Sequence, residues 1–456
     1  MNPNLLYSAA RKIAGLPGGV MYWAVDATIT SPGGSVKAKF TNHLDYECNY
    51  IDRFTADITV RVGCIVKEFR EVCWKHRDNL SVTLSTYPVD PTTGVALPVR
   101  KPLLTRYRAF LTDATDPSLT RGSAITSGTY VDGSDDMLVF HMQLVDEGAY
   151  KLSRSSAGGI YPLDDHNGML LQTVIGKVAK ATKAVKFLVM YPADETRKHK
   201  ETTIPHDVKA VRLAHYVQQN EGGVYYHGLG NFIFKGFWYI YPPYNVRRYQ
   251  KALDTDGEGV LEIYQVPTQQ VPGSESTWQL VRTQIFRIIC NGAAETQDIS
   301  IGQQATNGNG VRYIRASRFL NAGVKERGDN TGEINRQTYM AEIRSSERVE
   351  GETNAGFSEV RETDNDAHEM SKLAMREGQI FVTVWQNSAA MEYIHPGMPV
   401  RVYQDKGGYV SVRDGTVMKI KETWTPATQG MLNRALVRAC GLTIFLDRKD
   451  IKGQDQ

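Results

Sequence analysis

Short runs in which apolar and polar residues alternate dominate this chain of 456 residues and constrain its fold more than any other feature. Successive side chains of a strand point to opposite faces of a sheet, so a run of this kind has one buried and one solvated face. Two such buried faces are Ile58, Val60 and Val62, and Leu138, Phe140, Met142 and Leu144. The sequence therefore predicts a mainly β (α+β) protein with several sheets.

Helical spacing of apolar residues is confined to a few short segments. It predicts one helix over about 66–76, a third over about 205–222 and a fourth over about 366–376. The second follows Asp164, Asp165 and Asn167 and buries Leu170, Leu171, Val174 and Val178. Each begins near a capping residue or a proline, or ends near glycine. The helices are too few and too short to form a layer of their own.

The residues after Gly378 are nearly all of strand type. Gly407-Gly408 and Asp414-Gly415 interrupt the pattern and predict turns between the strands. Because closing a sheet removes its exposed edges, we expect these strands to form a small antiparallel barrel.

Changes in pattern along the chain predict four regions. We expect an N-terminal β-barrel over 1–150, a mixed α+β region over 151–290, a polar segment over 291–365 and a C-terminal helix with a small barrel over 366–456. Residues 341–370 carry nine carboxylates against three arginines. This acidic stretch is interpreted either as an extended, partner-ordered segment or as a plain surface loop.

Composition excludes several classes of protein. The net charge of +3 is too small to predict specific nucleic-acid binding. Five cysteines, an odd number spread widely, do not form the framework of a small disulfide-rich scaffold. Because no apolar run reaches the ~18 residues that cross a bilayer, we expect no membrane span.

Motifs of known chemistry are missing from the sequence. It has no histidine pair or Cys-x-x-Cys with zinc-ligand spacing, no phosphate-binding loop and no G-x-S-x-G elbow. We therefore predict no catalytic residues, no metal and no cofactor. The acidic pairs Asp164/Asp165 and Asp135/Asp136 leave a carbohydrate hydrolase as an alternative, because glycoside hydrolysis needs two suitably spaced carboxylates.

Aromatic residues crowd into one stretch of the middle region. The candidate interface residues there are Tyr225, Tyr226, Phe232, Phe234, Trp238 and Tyr241. Alternation along a hairpin favours a core face combined with a subunit interface, where tyrosine and tryptophan are useful for both ring and polar group. A platform on which bases or sugars stack is the alternative.

The order of elements resembles that of the baseplate hub proteins of contractile phage tails and of their relatives in type VI secretion spikes. The passages that carry the resemblance are 50–84, with strands around a helix ("ITVRVGCIVKEFREV"), 106–113 and 137–175, 204–244, and 394–424, where "HPGMPVRVY" precedes a strand.

The resemblance implies a trimer whose subunits each supply two tail-tube-like antiparallel β-barrels, with a mixed middle domain. Its implied partners are a tail tube protein above, a central spike protein below and other baseplate components. No catalytic residues carry over, and the implied location is the virion tail, assembled in the host cytoplasm. A receptor- or carbohydrate-binding tail module remains a further alternative.

Overall fold

A computed structural model describes most of the chain. The described residues are 3–14, 22–90, 92–97, 102–112, 137–162, 171–193, 201–220, 224–225, 228–256, 258–267, 276–281, 285–290, 294–298, 312–314, 336–340, 356–358, 379–386, 394–427, 435–447 and 451. The predicted helix over 366–376 lies outside them.

Among the described residues, five helices are seven or more residues long. They are α1 (Pro3–Ala14), α2 (Val66–Val72), α3 (Glu147–Arg154), α4 (Gln172–Thr182) and α5 (Leu213–Asn220). Shorter helical turns cover Trp74–Asn79, Ala210–Arg212, Val246–Arg248, Tyr249–Lys251 and Ala252–Asp256.

Strands make up most of the described residues, which confirms the mainly β class. They are β1 (Tyr22–Ser31), β2 (Gly34–Lys37), β3 (Phe40–Asn49), β4 (Asp57–Ile65), β5 (Leu80–Val89), β6 (Leu103–Leu111), β7 (Met137–Asp146), β8 (Gly159–Pro162), β9 (Phe187–Met190), β10 (Glu201–Ile204), β11 (Gly230–Phe234), β12 (Phe237–Tyr241), β13 (Val260–Gln265), β14 (Ser276–Val281), β15 (Ile285–Cys290), β16 (Ala294–Asp298), β17 (Arg312–Ile314), β18 (Arg336–Met340), β19 (Gly356–Ser358), β20 (Gln379–Gln386), β21 (Pro399–Asp405), β22 (Val410–Pro426) and β23 (Leu436–Leu446).

Eight strands of the 15-stranded main sheet form a closed ring of pairings. Their order is β22-β3-β4-β7-β6-β5-β1-β23, and β23 pairs back onto β22. Ile58, Val60 and Val62 of β4 pair with Leu144, Met142 and Phe140 of β7, and all six are buried. The two strand faces predicted from alternation are thus the inward faces of this ring.

The C-terminal strands complete this ring as well as extending the sheet. The first half of β22 pairs with β21, whereas its second half pairs with β3. The neighbours of β23 are β22, β20 and, through Trp23 and Leu436, β1. β13 adds parallel pairs to β15 and β21. A C-terminal barrel that closes on its own strands is therefore not what the pairing shows.

The predicted turn at Gly407-Gly408 is confirmed, but the one at Asp414-Gly415 is wrong. Both glycines of the first pair have positive φ, at 72° and 140°. Asp414 and Gly415 instead lie within β22, where the Asp414 carboxylate accepts two hydrogen bonds from Arg401 of β21 at 2.7 and 3.0 Å. An aspartate is found at 414 because it pairs with Arg401 on the neighbouring strand, and a glycine is found at 415 because the strands pack closely there.

Replacing Gly415 with alanine is expected to destabilise the β22–β23 hairpin. The new Cβ would lie 2.3 Å from the Phe445 carbonyl oxygen, an atom of the partner backbone that cannot move alone. Overpacking of this kind costs about 1–3 kcal/mol of unfolding free energy. Urea denaturation measures it, with Gly441→Ala as the control, because a Cβ there meets no described atom within 4 Å. Equal stability of the two variants would contradict the packing.

Three of the four predicted helices lie among the described residues and are present, and two of them, α2 and α5, are shorter than expected. Helix α2 ends at Val72 because His76 has a non-helical backbone (φ −120°, ψ 29°), and a 3-10 turn replaces the rest. Helix α5 begins only at Leu213, since residues before it pair with the chain near Ser156: the Ala157 amide donates to Val208 O and the Ala210 amide to Ser155 O. Tertiary pairing thus overrides helical spacing at that end.

Candidate functional site: the ring interior and the aromatic hairpin

The interior of the eight-stranded ring holds a largely buried ion pair that packs against two tryptophans. Arg438 of β23 is 2% exposed. Its guanidinium carbon lies 4.8 Å from the ring centroid of Trp424 and 5.4 Å from that of Trp23. It donates to Glu422 from Nε (3.0 Å) and Nη2 (2.9 Å). The bidentate, stacked geometry suits arginine and holds β22, β23 and β1 together where the ring closes.

The turn of the β11–β12 hairpin covers one side of a small cavity in this interior. Phe234 and Lys235 line it together with Tyr46, Glu422 and Arg438. Lys235 and Gly236 both have positive φ, 52° and 83°, as a two-residue hairpin turn of the I′ type requires. The turn is thus inserted against side chains of the ring rather than extended into solvent.

Asp146 fixes this turn to the end of strand β7. Its Oδ2 accepts from the Gly236 amide at 3.1 Å, and its Oδ1 accepts from the amides of Gly148 and Ala149, so the same carboxylate caps helix α3. Burial raises the pKa of Asp146 above its ordinary value, against the lowering effect of these amide donors. Asp146 therefore joins ring, helix and hairpin at one point.

The hairpin aromatics predicted from the sequence lie mostly inside the chain. Tyr225, Phe232, Trp238 and Tyr241 are buried, Phe234 is half-buried, and Tyr226 lies outside the described residues. Tyr225 donates its hydroxyl to Tyr191 O (2.7 Å), and Tyr241 donates to Tyr50 O (3.0 Å). The core role that alternation favoured is seen for these four, and an interface role stays a prediction.

A row of stacked rings crosses the edge of the three-stranded sheet β11-β12-β9. Phe187 stacks on Phe237 (centroids 5.2 Å), Phe237 on Tyr239 (6.1 Å), and Tyr239 on His395 (5.9 Å). Phe187 is 60% exposed, so the row ends at the surface. Sequence reasoning missed Phe187 and His395 because both lie far along the chain from the hairpin. The apolar run 187–190 was the available signal.

The buried end of this row is expected to make folding pH-dependent. Burial lowers the pKa of His395 to about 4. The pKa of an unfolded histidine is near 6.5, so between pH 4 and pH 6.5 the unfolded state binds more protons than the folded state. The free energy of unfolding is therefore expected to fall by about 2 kcal/mol as the pH drops from 7 to 5. Urea denaturation of His395→Gln at pH 7 and pH 5 should show that this contribution to the pH dependence of the unfolding free energy is lost. His206→Gln, at an exposed position, is the control and should keep it.

The described residues contain neither a metal-ligand cluster nor a membrane-spanning helix. Among them there is no group of three or more His, Cys, Asp or Glu side chains that could hold a metal ion. All five cysteines lie among the described residues, are buried and form no disulfide. Within the same residues, no helix is long and apolar enough to cross a membrane. The acidic pairs behind the hydrolase alternative, Asp135/Asp136 and Asp164/Asp165, lie outside the described residues.

Comparison with known proteins finds similarity in structure only. No family model and no curated protein sequence matches the chain. A solved tail protein from Neisseria meningitidis is similar at 12% identity, with a TM-score of 0.46 over 93% of this chain and 97% of that one. A 43 kDa prophage tail protein from Shewanella oneidensis gives 9% identity and 0.45, over 91% and 96%. An Escherichia coli type VI secretion component gives 8% and 0.38, over 92% and 77%. Tail proteins and type VI secretion proteins are the two classes that the resemblance in the sequence named.

Proposed function

We propose that this chain is a structural subunit of a phage tail or baseplate hub, which assembles with copies of itself and joins a tail tube to a central spike. In this proposal three copies assemble in the virion. Each supplies two tube-like barrels, the closed ring being one and the strands around β20 and β21 contributing to the other. The four regions proposed from the sequence are 1–150, 151–290, 291–365 and 366–456, and the closed ring combines strands of the first region with β22 and β23 of the fourth.

Large apolar side chains exposed on strands are the observation that supports assembly. Leu104 on β6 and Ile160 on β8 are each 69% exposed, and Phe187 on β9 is 60% exposed. Phe110, also on β6, adds a fourth. Scattered exposed apolar residues are ordinary, but side chains of this size on regular strands favour surfaces that other subunits cover. Closed symmetry would limit such association to a defined number of copies.

The mass of the purified chain in solution tests the proposal. Sedimentation or native mass spectrometry is expected to give a trimer, and co-purification with tube and spike proteins is expected when these are coexpressed. A strictly monomeric chain at high concentration, with no association with either protein, would overturn it.

A carbohydrate-binding tail module is a second candidate because the stacked aromatic row reaches the surface at Phe187. Trp238 is buried and so cannot present its ring to a sugar in this structure. Phe187→Ala is therefore the informative variant. Loss of binding to host-cell polysaccharide in Phe187→Ala, with the mass unchanged, would support this function, and equal binding would exclude Phe187 from it.

A further inference from the structure

A surface cavity lies between strand β6 and helix α3 on the outer wall of the ring. We call it the β6–α3 pocket and define it by five of the residues that line it, Arg106 and Arg108 of β6 and Glu147, Tyr150 and Lys151 of α3. Its volume is about 410 Å³, which lies within the ~300–1,000 Å³ that is usual for small-molecule sites. The pocket is therefore large enough for a ligand well above the size of a single inorganic ion.

The β6–α3 pocket carries an excess of positive charge. Among the described residues that line it, Arg106, Arg108 and Lys151 are cations and Glu147 is the only carboxylate. This leaves two positive charges without an opposite charge in the pocket. A phosphate monoester carries about −1.5 to −2 at neutral pH, so its charge complements that of the pocket better than a single carboxylate does.

Hydrogen bonds and an aromatic ring hold Arg108 in place at the pocket. Arg108 donates to Asn79 Oδ1 and to the Asp78 carbonyl, and its guanidinium carbon lies 5.2 Å from the Tyr150 ring centroid. The guanidinium carbon of Arg154 lies 5.4 Å from the same centroid and adds positive charge beside the pocket. Because a guanidinium that is already fixed loses little freedom when it binds, Arg108 is preorganised for an anion such as phosphate.

Arg106 and Lys151 are the cations of the pocket that solvent reaches most directly, with side chains 60% and 52% exposed. Both contact one carboxylate: Glu147 Oε2 lies 4.0 Å from Arg106 Nε, and Glu147 Oε1 lies 3.3 Å from Lys151 Nζ. Since Glu147 is itself 44% exposed, water screens both ion pairs and they contribute little to stability. An incoming anion can therefore compete with Glu147 for the two cations.

Hydroxyl and amide side chains continue the lining of the pocket away from the cations. They belong to Thr30 and Ser31 of β1, to Asn79 and to Ser81 of β5. Ser81 Oγ accepts a hydrogen bond from Arg106 at 3.3 Å, so the polar groups begin directly beside the positive charge. This lining suits a ligand whose phosphate is attached to a hydroxyl-bearing body rather than to a hydrocarbon chain.

We propose that the β6–α3 pocket binds a phosphorylated sugar, with the phosphate at Arg106 and Lys151 and the sugar hydroxyls at the side of Asn79 and Ser81. The pocket binds this ligand without making or breaking a covalent bond. The inference goes beyond the proposed hub function and does not depend on it, because all the residues involved belong to one chain. Since the cations are exposed, added salt is expected to weaken binding.

Isothermal titration calorimetry of the full-length chain with glucose 6-phosphate at low salt tests the pocket. Arg106→Gln with Lys151→Gln is expected to raise Kd by about tenfold or more, and the exposure of both side chains means that this variant should fold. Glu147→Gln is expected to lower Kd by about twofold or more, because it removes the carboxylate that competes with the ligand. The control is Arg61→Gln with Lys421→Gln, at exposed positions of β4 and β22 outside the pocket, and it should leave Kd unchanged.

Further probes separate the outcomes. Inorganic phosphate and glucose are each expected to bind more weakly than glucose 6-phosphate. Glucose that binds as tightly would overturn the role of the cations, and inorganic phosphate that binds as tightly would overturn the role of the hydroxyl-lined side. A wild-type chain that binds none of these at millimolar concentration, or a control variant weakened as much as the pocket variant, would overturn the site.

The source of the ligand and the state of the chain are read from the same measurements. An oligosaccharide that ends in a phosphate monoester and binds more tightly than glucose 6-phosphate would support the site and place its ligand on a polymer. The reverse order would support the site with a free sugar phosphate as ligand. A monomeric chain that binds glucose 6-phosphate would overturn the proposed hub assembly and support this inference.

Discussion

Arg438→Ala is expected to lower the free energy of unfolding by about 3–5 kcal/mol, because it leaves the largely buried Glu422 carboxylate, 13% exposed, without its charged partner. The alanine would also leave a space beside Trp23 and Trp424, whose rings contact each other edge to face with centroids 5.7 Å apart. These residues lie on three strands that meet where the ring closes. The loss should therefore weaken the junction between the N-terminal and C-terminal strands of the chain.

The matched control for Arg438→Ala removes both charges. Arg438→Met with Glu422→Leu keeps side-chain volume near the native value and leaves no unpaired charge, so it should cost much less than the single change. Urea denaturation followed by tryptophan fluorescence reports both, since Trp23 and Trp424 contact the site. A double variant as unstable as Arg438→Ala would show that the charges stabilise the ring in their own right.

Trp238→Ala should have an effect of similar size, about 3–5 kcal/mol, through loss of the largest buried ring in the hairpin. The Trp238 indole donates to Asn231 Oδ1 at 2.6 Å, and Asn231 in turn donates to the Val211 carbonyl at 2.7 Å. Removal of the ring leaves both a cavity and a buried oxygen without its donor. Trp238→Phe, which keeps most of the volume, should show the hydrogen-bond part alone.

Phe187→Ala is the surface control for the same sheet. Since Phe187 is 60% exposed, its removal is expected to change the unfolding free energy by less than about 1 kcal/mol. In the proposed hub it would act on association with partners instead. Equal destabilisation by Trp238→Ala and Phe187→Ala would contradict the placement of one ring in the core and the other at the surface.

Alternation of apolar residues predicted the strands of the ring well because it reports local burial. Ile58, Val60 and Val62 lie on the inward face as expected. Which strands pair is a long-range property, and nothing near Leu436 indicates that β23 will meet β1 at Trp23. The predicted turn at Asp414-Gly415 is wrong for a related reason. Glycine is needed at 415 because the Phe445 backbone of another strand packs too closely for a Cβ.

Capping signals were readable but incomplete. Helix α3 begins at Glu147 directly after Asp146, whose carboxylate accepts from two amides of the first turn. An aspartate before a helical segment is a recognised start signal, and Ala149 and Leu152 are buried at helical spacing, but the helix has only eight residues. The second role of Asp146, holding Gly236 ninety positions away, has no local signature.

The candidate surfaces were only partly predictable for the same reason. Aromatic density around residues 225–244 correctly marked a packed hairpin, but sequence alone does not tell which rings face inward. Phe187 and His395 become part of the row only because β9 pairs with β12 and the chain before β21 returns to it. The cavity lined by Arg106 and Lys151 likewise needs β6 and α3 to lie side by side.

A ring whose inward side chains are packed together, with an arginine stacked on two indoles at its junction, has no bore along its described strands. Nothing the size of a polymer can travel along the axis of a single copy. If copies gather around a common axis, the passage between them is walled by their outward strand faces. The diameter of that passage then depends on the number of copies. The residues that line it are ones that are exposed to solvent in a single subunit.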